Sequence, residues 1–503
     1  MILRNFTYPA VILLVLAGFL PPGATGQAKG KTLLEQWGQI HAKEGKLGYQ
    51  HFHAQEIEQD GLRLIRTVYY EETTILAGGK PFKEKTWYET LETETGKVVE
   101  IAYRLHLSKE QVLKVRGTIA GSELTLRVLG DDGKPTRFTQ KVPWNKDVLG
   151  LYAQETFFRG KKLKAKDAFE IKSFDFTLHR VLPTTWTVQR TEQVELAKGK
   201  KNLLRIKESH PRVFYLPDSI LWVDEAGTIV KNQVENVDLG PITTEITSRE
   251  RARADFQPKV KEKEGSIPID KPLKVGPGKP AELVLRVEVE GEEDPGTLFR
   301  EDGRQKILKA DKKVGVVLKL LARAPLTKPD KIVPAAAEYL DSNLYVRSDH
   351  PLVVKLARQA AGKAETPSAR VKAIGRWINE NLKVTYEINH ATADEVARIL
   401  EGDCTEFSVL GAAMCRALGI PARIAVGLVY NPENPGFDYH QWVEVYLDGQ
   451  WQTFDPTGAI DSVQAAFIKI ADYSLNGVIN PDGLSELHRA TSGRVKITVL
   501  ESK

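Results

Sequence analysis

Cysteine is scarce in this sequence, since its 503 residues include two, Cys404 and Cys415. That number excludes a disulfide-rich scaffold and a multi-cysteine zinc or iron–sulfur protein. Neither sign of charge dominates: 71 basic and 66 acidic residues leave a net charge of +5, too weak over this length to indicate a nucleic-acid-binding protein. Glycine and proline are close to average, which excludes collagen-like and wholly disordered chains.

Long hydrophobic runs are absent after the N-terminus, so the sequence predicts no membrane-spanning helix in the mature protein. Residues 1–26 have the pattern of a secretory signal peptide: Arg4 is followed by a short apolar run, and Ala24 and Gly26 fit cleavage after Gly26. An uncleaved membrane anchor is the alternative. We expect a periplasmic or secreted protein without stable membrane insertion.

The turn and hydrophobic patterns predict an α+β protein of several segments. Residues 48–255 are mainly strand-like; Leu124, Leu126 and Val128, for example, alternate along one strand. Many such strands favour one large curved sheet or an open barrel. The predicted segments are a signal peptide at 1–26, a β-rich N-terminal domain at 27–257, a linker with a second small β domain at 258–330, and a C-terminal domain at 331–503.

Two histidines, His51 and His53, share one face of a predicted strand in the β-rich domain. No third ligand accompanies them at a recognisable spacing, so solvent-facing strand residues are favoured over a metal site. The sequence predicts no metal and no other cofactor.

Two helices are predicted around Cys404. The upstream helix begins at Thr392, because Thr392 and Glu395 have the spacing of a capping box. The second begins at Cys404 and places apolar residues at helical spacing from Phe407 onward. A helix N-terminus stabilises a thiolate, so Cys404 is expected to be a partly ionised nucleophile. Cys415 lies about 16 Å along the same helix, too far for a disulfide, and is expected to be inert packing.

His440 opens a predicted strand that ends at Asp448-Gly449, a strong hairpin-turn signal. With a two-residue loop, Asp455 on the returning strand is a diagonal neighbour of His440 on the same face, within side-chain reach. A three-residue loop would place the two residues on opposite faces. Glu444 shares the face of His440 and is the alternative partner for its imidazole.

A cysteine at a helix start and a His–Asp pair on a hairpin are the parts of a cysteine acyl-transfer site. In this hypothesis Cys404 attacks an amide carbonyl, His440 takes and returns the proton, and Asp455 orients the imidazole. The backbone N–H of Cys404 is a natural oxyanion donor, and Tyr386 is a candidate for the second donor. Trp442 belongs either to a substrate tunnel or to the core.

Short motifs surround the three candidate residues: Gly402-Asp403-Cys404, Ala417 through Arg423, Gly427, His440 through Val445, and Trp451 through Thr457. Together they resemble the transglutaminase-like core of the papain-like superfamily, over about a fifth of the chain, 354–460. The resemblance implies an α+β fold with the cysteine helix packed on an antiparallel sheet. It matches Cys404, His440 and Asp455 to the catalytic triad. Members of the family include crosslinking acyltransferases, peptidases and inactive binding modules.

The sequence therefore predicts an exported cysteine enzyme that acts on glutamine side-chain or peptide amides through an acyl-enzyme on Cys404. Hydrolysis is favoured over transfer to an amine because water is always present. The expected partner is a protein or peptide substrate, with no nucleic acid and no indicated oligomeric state. The alternative is a non-catalytic binding or scaffold protein, which the extensive β regions would suit.

Overall fold

The computed structural model divides the chain into two compact units, with β1–β14 in the first and β15–β25 in the second. The predicted signal peptide lies outside the described residues. Within those residues no helix is long and apolar enough to cross a bilayer. The described residues are 30–59, 61–77, 80–107, 111–176, 179–211, 217–236, 239–259, 266–275, 280–290, 292, 294–322, 338–386, 388, 390–458, 465–475 and 495–503.

The first unit is one antiparallel sheet of 14 strands in its described part, in the order β8-β7-β6-β5-β4-β3-β2-β1-β14-β13-β12-β11-β10-β9. This agrees with the large sheet predicted from the sequence. Two short helices accompany it, α1 (Leu151–Glu155) and α2 (Arg249–Arg253). The strands are β1 (Lys31–Ala42), β2 (Gly45–Gln59), β3 (Leu62–Ala77), β4 (Lys80–Thr93), β5 (Val98–His106), β6 (Val112–Ala120), β7 (Glu123–Leu129), β8 (Pro135–Pro143), β9 (Ala168–Asp175), β10 (Arg180–Leu196), β11 (Gly199–Ser209), β12 (Ser219–Val223), β13 (Ile229–Asn236) and β14 (Gly240–Thr247).

Period-two alternation explains why these segments form strands with one buried face. On β7, Leu124, Leu126 and Val128 are all buried, as the sequence predicts. His51 departs from expectation: its ring is buried, stacks on Trp37 with centroids 3.9 Å apart, and lies 3.0 Å from a carboxylate oxygen of Glu35. The prediction of a solvent-facing side chain is therefore wrong for His51, because neighbouring aromatic and acidic side chains cover it.

In the described residues the second unit combines three sheets, of five, four and two strands, with four α-helices and one short 3-10 helix (Pro295–Leu298). The five-stranded sheet has the order β15-β22-β21-β24, with β23 paired to β22; the four-stranded sheet has the order β17-β18-β16-β25. Strands of the predicted small β domain thus share a sheet with the C-terminal strand. The elements are β15 (Ile267–Pro268), β16 (Glu282–Val289), β17 (Gln305–Asp311), β18 (Gly315–Leu321), α3 (Pro351–Ala361), α4 (Pro367–Asn381), β19 (Lys383–Val384), α5 (Ala393–Ile399), β20 (Glu401–Gly402), α6 (Cys404–Ala417), β21 (Ala422–Asn431), β22 (Gly436–Leu447), β23 (Gln450–Phe454), β24 (Phe467–Tyr473) and β25 (Val495–Ser502).

Helix α6 is the centre of this unit, because every residue from Cys404 to Arg416 is buried. It packs on β21 and β22 and against the helices α3, α4 and α5. Its start is fixed by a capping box: the Asp403 side chain accepts a backbone hydrogen bond from the first turn, and the Glu406 side chain accepts one from the Asp403 N–H.

The capping box predicted for α5 is wrong, although the helix itself is present. The Thr392 hydroxyl makes no cap hydrogen bond and instead donates to the Asp394 carboxylate at 2.7 Å. A threonine with a glutamate three residues later is therefore not sufficient for a capping box.

Gly427 on β21 lies between two neighbouring strands. It is opposite His440 on β22 and Lys469 on β24. A Cβ atom at this position would overlap the backbone carbonyl oxygen of Ile468 and press on the Trp442 ring. The absence of a side chain is therefore a packing requirement of the sheet that carries His440.

This packing predicts a large difference between two glycine-to-alanine variants. Gly427→Ala should destabilise the protein by about 3 kcal/mol or more, because a strand must move. Gly411→Ala is the matched control: its Cβ would make ordinary contacts of 3.4–3.5 Å, and alanine favours a helix by up to about 1 kcal/mol. Denaturant unfolding of both variants measures the difference, and equal stability would contradict this description of the sheet.

Candidate active site

The hairpin of β22 and β23 brings the two predicted partner residues together. Its turn has two residues, since Leu447 lies opposite Gln450, which is the register predicted from the sequence. β23 ends at Phe454, opposite Val443, just before Asp455 and a proline that cannot donate a ladder hydrogen bond. The chain leaves the strand there and carries Asp455 to His440.

A short hydrogen bond joins the two side chains: His440 Nε2 lies 2.8 Å from a carboxylate oxygen of Asp455. The other carboxylate oxygen accepts from the Thr457 backbone N–H at 2.9 Å and from its hydroxyl at 2.7 Å. Burial alone would raise the pKa of Asp455, but the histidine and the Thr457 donors hold it below its ordinary value. Asp455 is thus a fixed, ionised acceptor.

The second ring nitrogen of His440 is the chemically available one. The residue is 1% exposed, and Nδ1 is buried without a hydrogen-bond partner among the described residues. Because Nε2 is bound to a carboxylate, the neutral ring carries its proton on Nε2 and its lone pair on Nδ1. This arrangement leaves Nδ1 ready to accept a proton.

The first turn of α6 is fastened to Gln441, the residue after His440. The Gln441 backbone N–H donates to the Cys404 thiol. Its side-chain amide donates to the Thr405 carbonyl at 3.4 Å, and its own carbonyl accepts from the Ser408 hydroxyl at 3.0 Å. The sequence analysis missed this role of Gln441, for which adjacency to His440 was the available signal.

Cys404 is closed off and neutral at rest, which corrects the expectation of a partly ionised thiol. The residue is 3% exposed. Burial raises its pKa well above the ordinary value, and the nearby carboxylates of Asp403, Glu406 and Asp455 add to the rise. The Gln441 N–H opposes the shift without cancelling it. The helix start that favours a thiolate also carries the acidic residues of the capping box.

The second thiol behaves as predicted from its apolar surroundings. Cys415 is fully buried, and burial raises its pKa to about 12. Both cysteines are free rather than joined in a disulfide.

Glu444, the alternative partner for His440, is engaged elsewhere. Its carboxylate pairs with the Arg423 guanidinium at 2.6 Å and with the Lys469 ammonium at 3.2 Å. The two acidic residues therefore divide between different tasks: Asp455 contacts His440, and Glu444 holds the buried cations beside it.

The two residues predicted to contact substrate lie in different settings. Trp442 is 0% exposed, and its ring packs against those of His440 and Phe467, with centroid distances of 6.2 and 5.3 Å. Trp442 therefore lies in the core, the second of the two alternatives given by the sequence. Tyr386 follows Thr385, whose N–H donates to the Gly402 carbonyl at 2.9 Å, so its segment runs beside the residues that precede Cys404.

The segment that carries Cys404, His440 and Asp455 matches a known family model. Residues 354–456 match the model of the transglutaminase-like superfamily, so this part of the chain is a transglutaminase-like domain with an α+β fold. An uncharacterized protein of Haemophilus influenzae is 27% identical over 135 residues, which are 24% of this chain and 36% of that protein. The chain therefore matches little more than a third of this relative.

Two solved structures are similar to parts of the chain. A candidate cysteine protease from Cytophaga hutchinsonii has a TM-score of 0.28 at 20% identity, covering 44% of this chain and 86% of that one. The periplasmic domain of TgpA from Pseudomonas aeruginosa, bound to ethylmercury, has a TM-score of 0.24 at 19% identity, covering 36% and 91%. At these TM-scores neither structure bears on the activity of this protein.

The neutral thiol predicts how Cys404 responds to pH. Alkylation by iodoacetamide should be slow at neutral pH and rise steadily into the alkaline range, because the thiolate forms only as pH approaches the raised pKa. Asp403→Asn should accelerate alkylation at a given pH, since it removes a neighbouring negative charge and keeps the capping oxygen. Peptide mapping after brief labelling gives the rate at each cysteine.

Asp448→Asn is the control for this experiment. Asp448 lies in the hairpin turn with φ of 53°, a conformation that asparagine tolerates, at the other end of β22 from His440. It should leave the labelling rate unchanged. A wild-type rate that is already maximal at mildly acidic pH would contradict the neutral resting thiol.

Proposed function

We propose that this protein is an exported cysteine-dependent enzyme that cleaves glutamine side-chain or peptide amides through an acyl-enzyme on Cys404. One observation supports the proposal: in a buried imidazole, Nε2 is held by Asp455 and Nδ1 has no hydrogen-bond partner among the described residues, and the next residue, Gln441, binds the Cys404 thiol. An imidazole held in this way can take a proton from a thiol that is brought to Nδ1.

The first step forms a thioester and releases an amine. The Cys404 sulfur attacks the amide carbon while its proton passes to His440 Nδ1, and the carbonyl π electrons move to oxygen. The resulting imidazolium then gives the proton to the leaving nitrogen as the C–N bond breaks. Since the resting thiol is neutral, proton transfer accompanies attack instead of preceding it.

The second step returns the enzyme to its starting state. Neutral His440 takes a proton from water, and the hydroxyl oxygen attacks the thioester carbon. When the intermediate collapses, the C–S bond breaks and Cys404 recovers its proton. Ionised Asp455 stabilises the imidazolium in both steps without itself taking the proton.

The oxyanion formed in each step needs donors near Cys404. The Cys404 N–H is the first amide of α6, and the first amides of a helix have no helical acceptor. Tyr386 remains the proposed second donor, supported by its place beside the Gly402 segment.

A binding or scaffold protein is the second candidate. The burial of Cys404 and His440 favours it, because a substrate must open the site before it reaches the thiol. The two candidates differ in one respect that is easily measured: only the enzyme releases ammonia or a peptide amine.

The proposed mechanism predicts a graded set of variants. Cys404→Ala should abolish turnover, and His440→Ala should lower it by roughly 10²–10⁴-fold through loss of the base. Asp455→Ala should retain more activity than His440→Ala, because Asp455 orients the ring and transfers no proton. Initial rates on a blocked glutaminyl peptide, with circular dichroism to check folding, give the ranking.

Glu444→Gln is the comparison for the orienting role. Because Glu444 contacts Arg423 and Lys469, this variant should lose stability before it loses activity per folded molecule. If Glu444→Gln proves less active than Asp455→Asn at equal stability, the assignment of Asp455 fails.

Hydrolysis should exceed transfer when both are possible. A reaction with the glutaminyl peptide and rising concentrations of a biotinylated alkylamine should yield free acid as the main product and the amine adduct as a minor one. Mass spectrometry measures both products together. A dominant adduct would make the protein a transglutaminase in activity, and neither product despite measured peptide binding would favour the scaffold.

A further inference from the structure

The segment at the start of β17 makes buried contacts with the sheet that carries His440. Arg304 is 7% exposed and Gln305 is 2% exposed. Gln305 is the first residue of β17, and Arg304 directly precedes it. Arg304 donates to the Leu321 carbonyl of its own sheet at 3.0 Å and to the Thr453 hydroxyl of β23. One side chain therefore bridges the two sheets of the second unit. Asp302 to Gln305 is called the bridging loop from here on.

Gln305 fixes the main chain of β24. Its side-chain amide donates to the Lys469 carbonyl at 2.6 Å, and its side-chain oxygen accepts from the Lys469 N–H at 2.9 Å. The Gln305 carboxamide thus bonds both the N–H and the carbonyl of the Lys469 backbone, as a neighbouring strand would. Lys469 lies opposite Gly427, which lies opposite His440, so the fixed residue belongs to the same cross-strand row as the histidine.

A β-bulge arranges the charges around Lys469. The register shifts between Val426 and Gly427, where β24 holds the extra residue Ile470. Residues three apart on a regular strand face opposite sides of the sheet. The bulge turns Asp472 to the same face as Lys469, and its carboxylate lies 3.2 Å from the Lys469 ammonium. Bulges of this kind redirect side chains next to active sites.

The Lys469 ammonium closes a buried set of ion pairs. It contacts Glu444 at 3.2 Å, Asp472 at 3.2 Å and Asp302 of the bridging loop. Arg423 adds bonds to Glu444 and to Asp472 at 2.7 Å. Burial alone would lower the pKa of Lys469, but the carboxylates raise it above its ordinary value, so the ammonium stays charged.

Such a set is stable only when complete, because a buried charge without its partner is costly. Asp302 is its member from the bridging loop, and the other four lie on the sheet that carries His440.

The Phe467 ring contacts both the bridging loop and His440. The Arg304 guanidinium lies over the Phe467 ring, 5.9 Å from its centroid. The Phe467 centroid lies 6.1 Å from that of His440 and 5.3 Å from that of Trp442. Phe467 is therefore held between a cation of the bridging loop and the imidazole.

We propose that the bridging loop is a positioning element for His440, acting through Phe467 and Lys469. This inference rests on the proposed function of His440 as the base. The loop touches no reacting atom; it holds the face of the sheet on which the imidazole lies. The bridging loop lies outside the transglutaminase-like segment 354–456, so that segment by itself lacks a component that positions its histidine.

Arg304→Met and Gln305→Met in the full chain test this proposal, because each keeps side-chain length and removes the contacts described above. Both should lower kcat on the glutaminyl peptide by roughly tenfold to a hundredfold, since a small displacement of a catalytic group has effects of that size. KM should change by less than twofold. Arg304→Lys restores the charge and should recover part of kcat.

Val316→Ala is the matched control. Val316 is fully buried in the core of the same four-stranded sheet, and the change should lower the unfolding temperature at least as much as the two test variants. Its kcat should match the wild type. A kcat that falls with stability in all variants alike, control included, would overturn the positioning role.

A second readout separates failure of this inference from failure of the proposed function. The rate of Cys404 alkylation at alkaline pH requires no substrate. Arg304→Met and Gln305→Met should move that rate from the wild-type value toward that of His440→Ala, and Val316→Ala should not. A wild type without amide turnover would refute the proposed function alone, whereas test variants within twofold of wild type in alkylation and in kcat would refute the positioning role.

Discussion

The hydrogen bond between His440 Nε2 and the Asp455 carboxylate places the proton of the neutral ring on Nε2 and leaves Nδ1 to act as the base. It depends on the two-residue turn of the β22–β23 hairpin, since a three-residue loop would turn one residue to the opposite face. It also depends on the end of β23 at Phe454, which releases Asp455 from the strand. The direction of proton transfer proposed for the enzyme follows from these two features of the backbone.

The acidic surroundings of Cys404 give the site its second property. The capping box that begins α6 places Asp403 and Glu406 beside the thiol, and burial adds to their effect, so the pKa of Cys404 is raised. A helix start is usually treated as favourable to a thiolate. Here the groups that stabilise the helix end oppose ionisation of its first residue. A neutral thiol requires a well-placed base, which makes the orientation of His440 the more important.

Local patterns in the sequence were sufficient for much of the fold and for the pairing at the site. Alternation predicted β7, and turn chemistry predicted the register that joins His440 and Asp455. The capping box was assigned to Thr392 although Asp403 and Glu406 have the same spacing and form it. Spacing alone does not show which hydroxyl or carboxylate forms the cap hydrogen bonds.

The parts that the sequence did not indicate depend on contacts between distant residues. The Gln305 amide on the Lys469 main chain and the Arg304 guanidinium over Phe467 join positions more than a hundred residues apart. Neither residue belongs to a recognisable motif. The burial of Cys404 likewise arises from tertiary packing, which overrode the expectation from its place at a helix start.

The most direct test of this account is the tautomer of the His440 ring, read from ¹⁵N NMR of protein labelled at histidine nitrogens. The His440→Gln variant identifies the signals of this residue among the ten histidines. At a pH where the ring is neutral, the account predicts a proton on Nε2, shared with Asp455, and an unprotonated Nδ1. A proton on Nδ1 instead would leave that nitrogen unable to accept the Cys404 proton and would contradict the proposed mechanism.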